Sequence, residues 1–176
     1  MRKQLWVLVM LLAMSLVLSG CQVGRSDTTT DPDTEQMIIQ GCEIDPRSDA
    51  SWTKIEEFEF DLTNDGQTDF IGLYTMAAQD AKGNFMWDDG QQWLLMVQAG
   101  DKFYPLLAEY VQLGNVYFTV SQEMEDLKSK ITVLVPTGAN LKLESFTYDV
   151  EQQGFVQEML YDSPEDNFLY NSIPAY

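Results

Sequence analysis

Apolar residues recur at every second position in several short stretches of this chain. The alternating residues are, in chain order, Phe58 and Phe60, then Val116, Phe118 and Val120, then Ile131, Val133 and Val135, and finally Phe146 and Tyr148. Successive side chains of a β-strand point to opposite faces, so a period of two predicts strands with one buried face. Few arrangements other than a layered sheet can bury such faces.

Two further stretches, residues 70–76 and 93–97, are nearly continuously apolar. Such runs are typical of central strands that are covered on both faces. Turn residues separate all these segments, namely Asn64-Asp65-Gly66, Lys82-Gly83-Asn84, Asp89-Gly90, Gly100-Asp101, Gly114-Asn115, Thr137-Gly138 and Gln153-Gly154. The pattern predicts a mainly β fold, an antiparallel sheet in the form of a meander, sandwich or small barrel, with at most one or two short helices.

Residues 105–113 fit two secondary structures. Pro105 stands at a possible first position of a helix and Gly114 lies just beyond its end. Leu106, Tyr110 and Leu113 would then share one helical face. A helix and a strand both remain open for this segment. The polar residues 122–128 are expected to form a loop, with a second short helix as the alternative.

Composition excludes several classes of function. The 176 residues include no histidine, which excludes Ser-His and Cys-His relays and histidine-bound zinc. Ten Lys and Arg face 28 Asp and Glu, for a net charge of −18. Nucleic acid is therefore not an expected partner, because phosphate binding depends on clustered basic residues. The 45% of hydrophobic residues is enough to build a core.

The N-terminus has the features of a secretory signal. Arg2 and Lys3 precede an uncharged apolar run over residues 5–18. As a helix these fourteen residues would extend about 21 Å, short of the roughly 30 Å of a hydrocarbon core. The run therefore predicts a signal peptide rather than a membrane-spanning helix.

The signal ends in Leu18-Ser19-Gly20-Cys21, which resembles the lipobox of bacterial lipoproteins. The resemblance implies that Cys21 receives a diacylglyceryl group and becomes the first residue after cleavage. The expected location is then the outer face of the bacterial cell membrane, with the lipid on Cys21 as the membrane partner. An ordinary secretory signal is the alternative. Loss of Arg2 and Lys3 leaves 8 basic against 28 acidic residues, a net charge of −20, so no basic patch assists the lipid.

We expect three regions: a signal peptide (1–20), a lipidated cysteine with a flexible tether (21–50) and a single β-rich domain (51–176). Residues 22–36 have a linker composition, rich in Ser, Thr, Asp, Gly and Pro. Residues 37–39 are a possible short strand. With Cys21 lipidated, Cys42 is the one remaining thiol and is expected to be structural or incidental.

Residues 61–69, hereafter the 61–69 loop, have the spacing of a calcium site. Oxygen-bearing side chains stand at the first, third, fifth and ninth positions and Gly66 at the sixth. Alternate residues of a tight loop can direct oxygens toward one hard cation, and the carbonyl at the seventh position adds another. The candidate ligands are Asp61, Thr63, Asp65, Gln67 through its backbone carbonyl, and Asp69. The alternative is a plain polar hairpin loop.

The 61–69 loop resembles the calcium loops of EF-hand, dockerin and FG-GAP/VCBS-type repeats. Thr63 is neutral where those loops carry Asp, and Gly72 stands where an EF-hand has a bidentate Glu. Because the flanks are strand-like, the FG-GAP/VCBS strand–loop–strand is the closer comparison. The resemblance implies Ca²⁺ at low affinity and no other cofactor.

A second acidic segment, residues 87–93, brings two indoles close to Asp88 and Asp89. Tryptophan platforms beside a carboxylate pair are typical of glycosidases. However, Asp-Gly is an ordinary turn, adjacent aspartates tend to point apart, and Trp93 is expected in the core. Glu56, Glu57 and Glu59 are expected to form a solvated strand face.

Over roughly residues 51–170 the chain resembles small lipoproteins of Gram-positive, clostridia-like bacteria. The shared features are the Asp-Gly loop, a Trp-Asp-Asp-Gly-Gln segment and a Tyr-Val-Gln-Leu-Gly segment, residues 110–114 here. We expect a membrane-anchored, extracytoplasmic binding or structural module with a protein or glycan partner, and not an enzyme. The alternative is a small cell-surface hydrolase that depends on carboxylates alone.

Overall fold

The computed structural model describes residues 37–48, 51–163 and 172 of the chain. Nine strands occur in these residues: β1 Met37–Gln40, β2 Thr53–Phe60, β3 Asp69–Thr75, β4 Gly90–Ala99, β5 Lys102–Gln112, β6 Tyr117–Gln122, β7 Ser129–Pro136, β8 Leu141–Asp149 and β9 Gly154–Asp162. No helix occurs in the described part. The predicted mainly β fold is therefore confirmed.

The strands form two antiparallel sheets. The first has the order β1-β9-β8-β7-β6 and the second the order β2-β3-β4-β5. Strands β2 to β5 and strands β6 to β9 each pair in chain order, as a meander. β1 joins the first sheet by pairing with β9, Met37 lying opposite Gln157.

One apolar cluster lies between the two sheets, which makes the domain a sandwich. The second sheet contributes Ile71, Leu73, Trp93, Leu95 and Val97, and the first contributes Ile131, Val133, Val135, Phe146 and Phe155. Along β7, Ile131, Val133 and Val135 alternate with less buried residues, as the period of two predicted. The side chain of Trp93 is fully buried here, as expected.

Residues 105–112 form strand, not helix, because β5 pairs with the whole of β4, and Leu113 lies just beyond the end of β5. A bulge near Leu95 sets Met96 opposite Pro105, and Leu95 opposite Leu107. Pro105 therefore lies at a bulge in the last strand of its sheet, where a missing N–H is tolerated. Of the predicted loop at residues 122–128, Gln122 ends β6 and residues 123–128 form the loop between β6 and β7.

The first sheet begins at Met37, before the predicted domain boundary at Ser51. β1 confirms the possible strand at residues 37–39, and Cys42 forms a further bridge with Phe103 in β5. Backbone pairing of this kind ties residues 37–42 into both sheets, so the β-rich fold includes these residues. The linker-like residues 22–36 and the signal segment lie outside the described residues.

The segment after β1 covers the outer face of the second sheet. Tyr74, Leu94 and Met96 form a small buried cluster on that face. The guanidinium of Arg47 lies 5.1 Å from the ring centre of Tyr74, and its Nη1 donates a 2.7 Å hydrogen bond to the Tyr74 hydroxyl. Asp45 pairs with Arg47 at 2.6 Å. This covering explains why residues 70–76 and 93–97 are apolar on both faces.

Candidate functional site

The 61–69 loop connects β2 and β3, as the strand-like flanks predicted. Asn64 and Gly66 adopt positive φ angles of 58° and 82°. Asn and Gly tolerate this conformation best, so these two residues bend the chain back toward β3. The loop therefore has the backbone of a tight hairpin connection.

The carboxylates of Asp61 and Asp65 bind the backbone of their own loop. Asp61 accepts hydrogen bonds from the N–H of Asp65 at 3.1 Å and of Gly66 at 2.9 Å. Asp65 accepts one from the N–H of Gln67 at 2.7 Å. Such contacts fix the turn and point the N–H groups inward, which is the role expected of aspartates in a plain loop.

Asp69 differs from the other two because it is buried, with 1% of its surface exposed. Its Oδ2 accepts hydrogen bonds from the N–H groups of Leu62 and Thr63, both at 2.9 Å, and from the Thr63 hydroxyl at 3.1 Å. Its Oδ1 is buried and has no hydrogen-bond partner in the described residues. Burial raises the pKa of Asp69, the three hydrogen bonds oppose that rise, and the charge of Asp65 adds to it.

The five predicted ligand residues thus lie on one loop but do not surround one point. Within the described ranges, no group of three or more Asp, Glu or Cys side chains is arranged to hold a metal ion. A hard cation requires six or more oxygens. The residue types fit a hard cation, and Asp69 Oδ1 is an acceptor without a hydrogen-bond partner among the described residues. To bind a cation, Asp61 and Asp65 would have to coordinate it in addition to accepting the backbone hydrogen bonds that they already accept.

A groove of about 360 Å³ lies beside the loop and is lined in part by Asp65, Asp101, Lys102, Tyr104 and Tyr148. The Tyr104 ring meets the Tyr148 ring edge to face at 6.0 Å. Burial raises the pKa of Tyr104, and a hydrogen bond with Tyr148 together with the charges of Asp69 and Asp101 raises it further. The hydroxyl therefore stays protonated at physiological pH. The groove offers hydrogen-bonding hydroxyls and carboxylates to a polar ligand.

The segment of residues 87–93 uses its indoles for packing. The rings of Trp87 and Trp93 stack with centres 5.8 Å apart and 7° between their planes. Phe85 adds a third ring, 4.9 Å from Trp87. Asp88 accepts a 2.8 Å hydrogen bond from the N–H of Asp89, as in an ordinary turn. The two indoles thus extend the core rather than forming an open platform.

One polar cluster was not predicted from the sequence. Lys142 on β8 lies 3.0 Å from Glu109 on β5 and 3.4 Å from Glu144, which is itself buried and accepts a 2.6 Å bond from Gln157. Burial alone would lower the pKa of Lys142. The hydrogen bonds and charges of Glu109 and Glu144 outweigh this effect, so the pKa of Lys142 is raised. The cluster links the two sheets. Glu109 and Lys142 are 33 residues apart along the chain, so no local pattern indicates their contact.

The Cys42 sulfur lies 3.3 Å from the carbonyl oxygens of Ile44 and Phe103. Its partners are backbone groups of the covering segment and of β5, which agrees with the expected structural role. Cys21, the predicted lipidation site, lies outside the described residues.

Comparison with models of known protein families, with known proteins and with solved structures finds no match to this chain. In the described part of the chain, no helix is long and apolar enough to span a membrane.

Proposed function

We propose that this protein is a lipoprotein held on the outer face of the bacterial cell membrane, where its β-sandwich acts as a binding module. The observation that carries the proposal is the order of features at the N-terminus: two basic residues, fourteen uncharged residues and Leu18-Ser19-Gly20-Cys21. Each feature occurs where processing at Cys21 requires it.

The arrangement of the rest of the chain supports this proposal. The described fold begins with β1 at Met37, so residues 22–36 separate it from the anchor. As a flexible coil, these residues would span about 20 Å. That distance places the sandwich just outside the headgroups, and a net charge of −20 keeps it away from anionic lipid. Ligands can then reach its grooves from the solvent.

We also propose weak calcium binding at the 61–69 loop as a property of the module. The observation that favours it is the buried Oδ1 of Asp69, which has no partner among the described residues. On the same loop Asp61 is half-buried and Asp65 is exposed, and the charge of Asp65 acts on Asp69. A cation there would give Oδ1 a partner and reduce repulsion within the loop.

Replacement of Cys21 tests the anchor. Cells that express the wild type, Cys21→Ala or Cys42→Ala are labelled with a radioactive fatty acid and then fractionated. The wild type and Cys42→Ala should carry label and remain with the membrane, whereas Cys21→Ala should carry none and leave it. Membrane retention of an unlabelled wild type would contradict the proposal. Cys42→Ala is the matched control because it removes a thiol outside the lipobox.

A further inference from the structure

The sandwich is open along one side, between β2 of the second sheet and β6 of the first. Within the described residues, β2 pairs only with β3 and β6 only with β7. Both strands therefore present unpaired N–H and C=O groups along one edge. A groove of about 450 Å³ lies between them and is lined by Glu56, Glu57, Phe58, Leu73, Tyr117, Phe118 and Val120.

Aromatic side chains that face the interior are exposed at this opening. Phe58 lies directly opposite the buried Ile71, and Phe60 lies opposite the buried Asp69. Residues directly opposite in a sheet share a face, so both phenylalanines point inward. Nevertheless Phe58 is 44% exposed and Phe60 is 37% exposed. Their rings stack on each other with centres 6.2 Å apart, and no strand of the described fold covers them.

The opposite wall is apolar as well. Phe118 and Val120 on β6 lie opposite the buried Val133 and Ile131 and pack against the core. Leu73, which is buried, forms the bottom of the groove. One face of an extended chain would therefore meet apolar surface on both sides of the opening.

The rim of the opening is acidic. Glu57 and Glu59 lie opposite Gly72 and Phe70, so they share the outer face of β2, while Glu56 lines the groove. Lys54 pairs with Glu57 at 3.0 Å. In the described part of the chain, no Lys or Arg lies within ion-pair distance of Glu56 or Glu59.

We propose that the open side between β2 and β6 binds an extended, cationic segment of another protein, which adds to the free edge of β2. Its backbone pairs with β2, its alternate apolar side chains enter the groove against Phe58 and Phe118, and its Lys or Arg side chains meet Glu57 and Glu59. A second copy of this chain fits poorly, because it would place like charges side by side in a molecule of net charge −18. The inference deepens the proposed binding module and names its class of partner.

The probe is the acetylated and amidated heptapeptide Lys-Val-Lys-Phe-Lys-Val-Lys, titrated by calorimetry into the full chain in a neutral detergent. It should bind, and amide hydrogen exchange should slow in β2. The same peptide methylated on the three alternate amide nitrogens that face β2 should bind at least tenfold more weakly, as should the peptide with Glu in place of Lys. Equal binding of the methylated peptide would overturn strand addition.

Three variants distinguish binding in the groove from a general attraction between the cationic peptide and the acidic protein. Glu59→Lys and Phe58→Ser should each weaken binding at least tenfold, whereas Glu151→Lys, with the same charge change in the β8–β9 turn, should leave it within twofold. Equal losses in Glu59→Lys and Glu151→Lys would overturn the inference, as would a dimer of the wild type that Phe58→Ser dissociates. If Phe58→Ser does not fold, the comparison of Glu59→Lys with Glu151→Lys tests the inference on its own. Peptide binding needs no lipid on Cys21, so its failure leaves the anchoring result unaffected.

Discussion

The Oδ2 atom of Asp69 accepts two hydrogen bonds from Thr63, one from the backbone N–H at 2.9 Å and one from the hydroxyl at 3.1 Å. The N–H of Leu62 donates to the same oxygen. One buried carboxyl group thereby holds the start of the 61–69 loop against the first residue of β3. We therefore expect the conformation of this loop to depend more on the buried Asp69 than on the half-buried Asp61 and the exposed Asp65.

Replacing Asp69 with alanine should lower the free energy of unfolding by about 3 kcal/mol, because three donors lose their acceptor. Thr63→Val keeps the backbone bond and loses only the hydroxyl, so it should cost about 1 kcal/mol. Urea denaturation measures both. The matched control is Asp61→Ala, whose two bonds are exposed. If Asp69→Ala costs no more than Asp61→Ala, the buried carboxyl does not hold the loop.

The free energy of unfolding should depend on pH in the way that the raised pKa of Asp69 requires. Burial raises its pKa in the folded state above the ordinary value of 3.8. The folded chain then binds this proton more tightly than the unfolded chain, so the contribution of Asp69 is most favourable below the unfolded pKa and falls as the pH rises through the folded pKa. The stability of the wild type minus that of Asp69→Asn should decline from pH 3.5 to pH 7 in urea titrations. If this stability difference instead grows with pH, the pKa of Asp69 is lowered in the folded state, which would contradict the prediction.

Calcium should raise the melting temperature if the 61–69 loop binds it. At ten times the dissociation constant the gain is about 1.4 kcal/mol, a shift of several degrees for a domain of this size. The gain should vanish in Asp65→Ala and persist in Asp162→Asn, an acidic change on another strand. Magnesium at matched ionic strength controls for charge screening. Equal responses to both ions, in the wild type and in Asp65→Ala, would show that the loop is only a turn.

The junction between β5 and the end of β7 should tolerate no added side chain at Gly114. A Cβ there would meet the carbonyl oxygen of Pro136 and lie 2.9 Å from the side chain of Val111. Gly114→Ala should therefore lower the free energy of unfolding by about 1 to 3 kcal/mol. At Gly138, three residues after Val135 in the same region, the nearest atom to an added Cβ lies at 3.8 Å. Gly138→Ala should be close to neutral, and an equally neutral Gly114→Ala would show that the junction relaxes freely.

Local sequence patterns predicted the strands well, because alternation and turn residues act over a few positions. The same patterns left Pro105 undecided between helix and strand, since the bulge that admits it depends on its pairing with β4. Phe58 and Phe60 alternate like core residues, yet their exposure depends on how far apart β2 and β6 lie. Likewise, the burial of Asp69 and the contact of Lys142 with Glu109 arise from packing between distant segments. Sequence spacing alone carries no information on such contacts.

The most direct test of the central claim is the intact mass of the protein extracted from the membrane of its producing cells, with the N-terminal residue identified by fragmentation. We predict that the mature chain begins at Cys21 and that its mass exceeds that of residues 21–176 by a diacylglyceryl group, with or without a further acyl chain. A chain that retains residues 1–20, or one that begins elsewhere and carries no lipid, would contradict the account.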